Sequence, residues 1–249
     1  MSVQVQNIQK LLAELATRRP LTSEEAAWIF SAEFDAHRSL LYETADRIRK
    51  ERVGDDVYLR GLIEFSNYCA CRCSYCGISA LNTEVSRYRM TVEEIVQNVK
   101  EAVGIGYRSF VLQSGEDRHF KAADICRLIE SLKQVEDIAV TLSIGEWKRE
   151  DLAAFRAAGA DRYLLRIETS DPDLFARHHS DSSWHDRHRC LMDLKELGFQ
   201  TGSGIMVGLP GQTAETLRRD LEYLVQLRPE MVGIRSEERR VGKECEDLC

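Results

Sequence analysis

Apolar residues recur every three or four positions through the first 50 residues, which is the spacing of amphipathic helices. The pattern predicts one helix over residues 8–15, a second that begins at Thr22 or Ser23, and a third over 34–48. Beyond Gly54 this spacing gives way to short apolar runs. The N-terminal part is therefore predicted to be helical and to differ in kind from the rest of the chain.

From residue 62 onward, short apolar runs alternate with amphipathic stretches. The runs predict six strands, at 62–65, 110–112, 138–142, 163–165, 205–207 and 231–234. The stretches predict helices between them, at 91–103, 122–132, 149–158, 184–197 and 213–227. This alternation is typical of right-handed βαβ units on a parallel sheet, and six strands are fewer than the eight of a closed (β/α)8 barrel. We predict an α/β fold: a partial TIM-type barrel core over 58–234 behind a helical extension over 1–57.

Polar and glycine-rich stretches come directly after the predicted strands. They lie at 66–76, 113–117, 143–146, 166–169 and 208–213. In a β/α barrel these loops share the face on which active sites are built. The sequence therefore predicts a site at the carboxyl ends of the strands.

Composition narrows the class of protein. The 249 residues are 43% hydrophobic and 30% charged, which excludes a disordered chain or a fibre, and the net charge of −7 argues against a nucleic-acid partner. No run approaches the roughly 18 apolar residues of a membrane span. The first 15 residues lack the apolar core of a secretory signal. We expect a cytoplasmic protein with no membrane partner.

The cysteines indicate a metal site. Four of the eight lie between Cys69 and Cys76, whereas a secreted disulfide framework would spread them along the chain. Cys69, Cys73 and Cys76 have a C-x3-C-x2-C spacing, which can hold three corners of an iron–sulfur cube and leave the fourth iron open. Zinc is the competing interpretation, although no second ligand pair is present later in the core, and ordinary buried thiols are a third. Cys71 fits the spacing poorly and is interpreted as a non-ligand.

The motifs around this loop resemble the radical S-adenosylmethionine (SAM) superfamily, and within it the HydE-type maturases of [FeFe] hydrogenase. Biotin synthase and the methylornithine synthase PylB share the architecture and are the alternatives. The motifs are RGLIEFSNYC at 60–69, YCGI at 75–78, YRMTVEEIV at 88–96, VLQSGED at 111–117, VTLSIGEW at 140–147, AGADRYLLRIETSDP at 158–172 and MVGLPGQT at 206–213.

The resemblance implies a chemistry and its partners. A [4Fe–4S] cluster on the three cysteines would bind SAM at its open iron and, reduced by a ferredoxin or flavodoxin, cleave it to a 5′-deoxyadenosyl radical. HydE-type enzymes act on a small organometallic precursor in hydrogenase H-cluster assembly, together with other maturases. The alternatives are a PylB-like mutase, a biotin-synthase-like sulfur insertion, or a non-catalytic iron–sulfur or zinc module.

The resemblance also implies SAM contacts, and elementary chemistry supports some of them. An arginine can grip a carboxylate through two bonds and a glutamate can receive an ammonium, although such a pair can also serve as an internal ion pair. In the segment over 113–117, Ser114 or Asp117 can alternatively cap a helix. Where the family often has histidine, this chain has Ile167. The implied contacts are Tyr75, Gln113, Ser114, Gly115, Glu116, Arg166, Glu168 and Arg187.

Further polar positions complete the predicted site. Substrate contacts are predicted at Thr141, Ser143, Ser203 and Met206, with core packing an equal alternative for Met206. The histidines of the charged stretch are predicted to be surface residues, namely His178, His179, His185 and His188. Cys126 and Cys190 are predicted to be buried, inert thiols.

The resemblance stops after Ile234. Residues 235–249 are dense in charge and almost without apolar periodicity, as expected of a truncation or assembly scar, and Cys245 and Cys249 cannot complete a second cluster. A barrel that lacks its last two units has open parallel edges. We therefore expect the chain alone to be poorly stable or inactive.

Overall fold

A computed structural model describes residues 3–17 and 19–236 of the chain. The chain divides into two units: residues 1–58 with 212–228, and residues 59–211 with the chain from 229 onward. Within the described residues, no helix is both long enough and apolar enough to cross a membrane. The predicted tail over 235–249 lies outside the described residues except for Arg235 and Ser236.

Helices and strands alternate through most of the described chain. The strands are β1 (Gly61–Ser66), β2 (Ser109–Ser114), β3 (Ala139–Ser143), β4 (Arg162–Leu164), β5 (Gln200–Val207) and β6 (Met231–Ser236). The helices are α1 (Val3–Leu15), α2 (Ser23–Ile29), α3 (Arg38–Val53), α4 (Val92–Gly104), α5 (Ala122–Lys133), α6 (Arg149–Ala157), α7 (Pro172–His178), α8 (Trp184–Glu196) and α9 (Ala214–Leu227), with a 3-10 helix over Ala32–His37.

The first unit contains α1 to α3 and α9. Ile8, Leu12 and Phe34 form its buried core, and the Trp28 ring meets the Phe34 ring edge to face at 5.0 Å. Helix α2 begins at a capping box in which the Thr22 hydroxyl accepts from the Glu25 backbone N–H. The helix predicted over 213–227 thus belongs to this unit rather than to the strands' unit.

The second unit is built on one sheet whose six strands lie in chain order, all parallel. This confirms the predicted α/β class and the six-stranded, open form of the barrel. Side chains alternate across the strands, so Phe110 and Leu112 of β2 are fully buried while Val111 between them is half-buried. The parallel arrangement places all the loops that leave the strands' carboxyl ends at one edge of the sheet.

Several elements differ from the sequence prediction. Strand β5 begins at Gln200, five residues earlier than expected, and β4 begins at Arg162, one residue earlier than expected. The helix predicted over 34–48 is a 3-10 helix up to His37, followed by α3. Helix α7 was not predicted, although Asp171 caps it by accepting from the Asp173 and Leu174 backbone N–H groups and Pro172 occupies its first turn. The helix is seven residues long, too short for apolar periodicity to reveal it.

Gly204 of β5 is required by the close approach of β6. A Cβ at Gly204 would overlap the carbonyl group of Gly233, whereas a Cβ at Gly233 would meet open space. We expect Gly204→Ala to lower the free energy of unfolding by about 1–3 kcal/mol through overpacking, and Gly233→Ala by less than about 1 kcal/mol. Denaturant unfolding of both variants measures the difference, and equal effects would contradict the prediction.

Candidate functional site

The loop that carries the cysteine cluster is anchored to distant parts of the chain. At the end of β2, the Gly115 N–H donates to Ser66 O at 3.3 Å, and Glu116 O accepts from the Ala70 N–H at 3.0 Å. Farther along the chain, the Arg72 N–H donates to Asp181 Oδ2 at 2.6 Å. The Ser74 hydroxyl lies 2.8 Å from His178 Nδ1. The loop is therefore held at both the β2 edge and the α7 edge.

Four thiols converge within this loop. Cys71 and Cys73 are buried and Cys69 and Cys76 half-buried, and none of the four forms a disulfide. A hydrogen bond between the Cys69 and Cys71 side chains raises the pKa of the Cys69 thiol, and burial adds to that shift. Burial likewise raises the pKa of Cys76, with a further contribution from the charge of Cys69. A cluster of sulfur donors on one loop fits an iron–sulfur group, which is bound by thiolates.

Burial does not set Cys71 apart from its neighbours. Its sulfur, a carboxylate oxygen of Glu116 and a ring nitrogen of His179 all lie within 4.8 Å of one another. The Cys71 side chain thus points toward Glu116, one of the predicted SAM contacts, rather than into solvent. The assignment of Cys69, Cys73 and Cys76 as the ligands stays a prediction that rests on their spacing.

Gly115 makes room for the cysteine loop. A Cβ at this position would overlap Tyr68 O and the Cys69 side chain. The neighbouring polar groups have protein partners, because Ser114 Oγ donates to Gly115 O at 2.6 Å and Gln113 Nε2 donates to Glu64 Oε1 at 3.3 Å. The small residue therefore brings β2 and the loop together, and this contact needs no ligand.

Arg166 and Glu168 lie beyond the end of β4 and form an ion pair, with Nη2 and Oε2 3.0 Å apart. Glu168 has φ 64°, a left-handed conformation that is uncommon outside glycine and that clusters at functional sites. Burial raises the pKa of Glu168, while Arg166 and Arg187 oppose the shift. Arg166 Nε, Glu168 Oε2 and Thr141 Oγ1 are buried without a well-oriented hydrogen bond. These groups fit a polar, charged ligand such as the methionine end of SAM.

Arg187 is buried in a network of charges that the sequence did not reveal. Its Nε lies 2.6 Å from Glu146 Oε1, and its Nη2 lies 3.9 Å from Glu116 Oε1. The same Nη2 donates to His179 Nε2 at 2.5 Å. Ser182 Oγ completes the network by donating to both oxygens of Glu146. The network holds the guanidinium between the loops at the carboxyl ends of β2 and β3.

The histidine prediction is wrong for two of the four residues. His178 and His179 are 9% and 4% exposed, because both lie at the end of the unpredicted helix α7. His178 Nε2 lies 2.9 Å from Pro210 O, so its ring links the cysteine loop to the loop after β5. Of the other two, His185 is exposed and His188 half-buried. The Asp171-Pro172 step at the start of α7 is the sequence signal that could have predicted this helix and therefore the burial of the two histidines.

The four predicted substrate contacts have different surroundings. Thr141 is buried and Ser143 half-buried at the end of β3. Ser203 is fully buried, and its hydroxyl accepts from the Ile167 N–H at 3.3 Å. Met206 packs in an apolar cluster with Leu174 and Leu209, against which Tyr75 also lies. All four stay predictions as substrate contacts, as does Tyr75 as a SAM contact.

The two remaining cysteines of the described chain differ from each other. Cys190 is 4% exposed, which confirms its predicted burial. Cys126 is only half-buried, so that prediction is wrong. Its helix, α5, turns Ile125, Leu128 and Ile129 into the core and leaves Cys126 at the margin of that face.

His179 should make stability depend on pH. Burial, and after it the charge of Arg187, lowers its pKa below 6.5. Between that folded pKa and the unfolded value near 6.5, the unfolded chain binds a proton that the folded chain does not, so the free energy of unfolding should fall with falling pH by up to about 1.4 kcal/mol per unit. The raised pKa of Glu168 has the opposite effect, because it makes the free energy of unfolding rise as the pH falls. The test is therefore the difference between wild type and His179→Gln in denaturant unfolding from pH 7 to 5, and identical slopes would contradict it.

Comparison with known proteins matches this arrangement to one superfamily. A family model described as "Radical SAM superfamily" matches residues 63–224. The [FeFe] hydrogenase maturase subunit HydE of Thermotoga maritima is 45% identical over 223 residues, which are 90% of this chain and 64% of that protein. The 3-methylornithine synthase of Methanosarcina acetivorans is 27% identical, over 86% of this chain and 61% of its own length. The chain thus spans less than two thirds of the length of these curated relatives.

Solved structures agree with the sequence matches. The crystal structure of methylornithine synthase (PylB) superposes with a TM-score of 0.83 at 27% identity, covering 91% of this chain and 67% of that one. The hydrogenase maturase HydG superposes with a TM-score of 0.77 at 22% identity, over 93% of this chain and 54% of that one, and shows the fold alone. Because the family match covers most of the chain and contains the cysteine loop and the charged groups of the site, the chain belongs to the radical SAM superfamily.

Proposed function

We propose that this chain is the cluster- and SAM-binding part of a HydE-like radical SAM enzyme. The observation that carries the proposal is the placement of a four-thiol loop beside two arginines and three carboxylates at one edge of a parallel sheet. Cys69, Cys73 and Cys76 would hold a [4Fe–4S] cluster. When bound, such a cluster supplies the electron that cleaves the carbon–sulfur bond of SAM.

The chain's own residues have three tasks in this proposal. Arg166 and Arg187 would bind the SAM carboxylate, because a guanidinium offers paired donors to it. Glu116 and Glu168 would accept from the ammonium. Arg166 and Glu168 have side chains only 17% and 13% exposed, so water is largely excluded and their charges act at short range. Their mutual ion pair is compatible with this role, since a zwitterion presents the matching charges to both.

The 45% identity with the Thermotoga maritima HydE favours a role in hydrogenase maturation, with a small organometallic substrate, other maturases as partners and a ferredoxin or flavodoxin as electron donor. A methylornithine-synthase-like mutase is the second candidate, favoured by the match to the PylB structure. Sulfur insertion of the biotin-synthase type is supported by 31% identity with the Geobacillus kaustophilus biotin synthase. The cytoplasmic location stays a prediction.

The experiment is anaerobic reconstitution with iron and sulfide, then addition of dithionite and SAM and chromatography for 5′-deoxyadenosine. We expect the product to form only when cluster, reductant and SAM are all present. A protein that takes up zinc in place of the cluster would contradict the proposal. Because the chain alone is expected to be poorly stable or inactive, the assay is repeated on a chain extended to the length of the Thermotoga maritima relative, and an extended chain that holds the cluster and makes no product would also contradict the proposal.

A further inference from the structure

Arg87 binds four backbone carbonyls around the cysteine loop. Its Nη1 donates to Asn67 O at 2.5 Å and to Ile78 O at 2.8 Å. Its Nη2 donates to Ser79 O at 2.8 Å and to Asn82 O at 3.0 Å. Asn67 precedes the first cysteine of the loop, and the other three come after the last. One side chain therefore joins the two ends of the segment over 67–82 that contains all four thiols.

Only an arginine can make this set of contacts. Its planar guanidinium presents five N–H donors in a fixed fork, whereas a lysine ammonium has three on a flexible stem. Other bonds within the loop support the same closed form, because the Ala80 N–H donates to Cys71 O at 2.8 Å and Asn82 Nδ2 donates to Gly77 O at 2.8 Å. The segment thus has a defined shape, to which Arg87 contributes more bonds than any of these partners.

The positive charge of Arg87 lies against the cysteine loop and is not paired with a carboxylate within the described part of the chain. Two neighbouring arginines pair with carboxylates, Arg72 with Asp181 at 3.1 Å and Arg89 with Asp117 at 2.6 Å. Within the described part of the chain, no carboxylate lies at ion-pair distance from Arg87. Arg87 Nη1 is hydrogen-bonded to Ile78 O, two residues after Cys76, so this positive charge lies at the end of the loop that carries the last cysteine.

We propose that Arg87 is a positioning residue for the cluster: it closes the cysteine loop, and its charge makes the bound cluster easier to reduce. The inference rests on the proposed function only in so far as the loop holds an iron–sulfur cluster. Closure keeps the thiols in place, so a ligand that dissociates stays near the metal. Reduction adds a negative charge to the cluster, and a fixed positive charge nearby stabilises the reduced form.

The test compares Arg87→Gln, Arg87→Lys and the control Arg72→Gln, which removes a charge from the same loop at an exposed position. Each reconstituted protein is titrated for its cluster reduction potential by EPR and challenged with an iron chelator, both without SAM. Arg87→Gln should lose iron roughly tenfold faster, as outer-shell variants of metal sites do, and have a more negative potential. Arg87→Lys should lose iron faster but keep the potential. Arg72→Gln should change neither.

Two results would overturn the inference. One is an Arg87→Gln protein with wild-type iron release and potential, and the other is an Arg87→Lys protein that retains iron as well as wild type. If Arg87→Gln takes up no cluster, limited proteolysis of the metal-free protein decides, because an unclosed loop should be cut faster within 67–82 while the thermal transition stays cooperative. An extended chain that holds the cluster without cleaving SAM would defeat the proposed function and leave this test intact.

Discussion

In the chain extended to the length of the Thermotoga maritima relative, Cys69→Ala, Cys73→Ala and Cys76→Ala are each expected to abolish 5′-deoxyadenosine formation, whereas Cys71→Ala is expected to retain it. Two thiolates do not hold a [4Fe–4S] cluster in place of three, so we expect more than about a 100-fold loss, beyond the 10- to 100-fold typical of outer-shell changes. Iron and sulfide content, measured with the product assay, shows whether the loss arises from the cluster itself.

Cys71→Ala is the matched control, because it removes one thiol from the same loop at a position that is as buried as Cys73. Its sulfur contacts Cys69 and lies near Glu116, so a general repacking effect would appear in this variant too. The assignment of Cys69, Cys73 and Cys76 would be wrong if the Cys71→Ala protein binds no cluster while the Cys69→Ala protein keeps it.

Gly115→Ala is expected to disrupt the predicted cluster site without replacing any of the predicted cysteine ligands. The added methyl group would overlap Tyr68 O and the Cys69 side chain, so either β2 or the loop must shift. We expect a loss of about 1–3 kcal/mol in the free energy of unfolding from overpacking, together with a low iron content because Cys69 is displaced. Denaturant unfolding and iron analysis measure the two effects.

Gly104→Ala provides the control for this variant. The same methyl group there meets open space at the end of α4. Alanine is favoured over glycine in helices by up to about 1 kcal/mol, so this variant should be neutral or slightly more stable. A Gly115→Ala protein with wild-type iron content and stability would show that the loop can move aside at no cost.

The sheet could be predicted because its signals are local. The run over 138–142 is apolar except for Thr141, and the helix after Thr91 begins with a capping box that the structure contains. Helix α7 escaped prediction because it depends on a cap and a proline rather than on a repeating apolar face. The place of α9 in the first unit escaped as well, since periodicity identifies a helix and not the residues it packs against.

In the candidate site too, local features could be predicted from the sequence and contacts between distant segments could not. The cysteine spacing lies within eight residues and was visible at once. The contacts of Arg187 with Glu146 and His179 were not, because they join helix α8, the loop after β3 and the end of α7, which are distant in sequence. The role of Arg87 is not visible in the sequence either, since its partners are backbone carbonyls, which have no sequence signature.

The long-range anchors of the cysteine loop set an order of events during synthesis. Ser66 bonds to Asp117 across 51 residues, Ser74 to His178 across 104, and Arg72 to Asp181 across 109. Contacts of such separation close slowly and only after both partners exist. A nascent chain therefore gains the anchors at residues 115–117 first, and it cannot complete the set until residue 181 has left the ribosome.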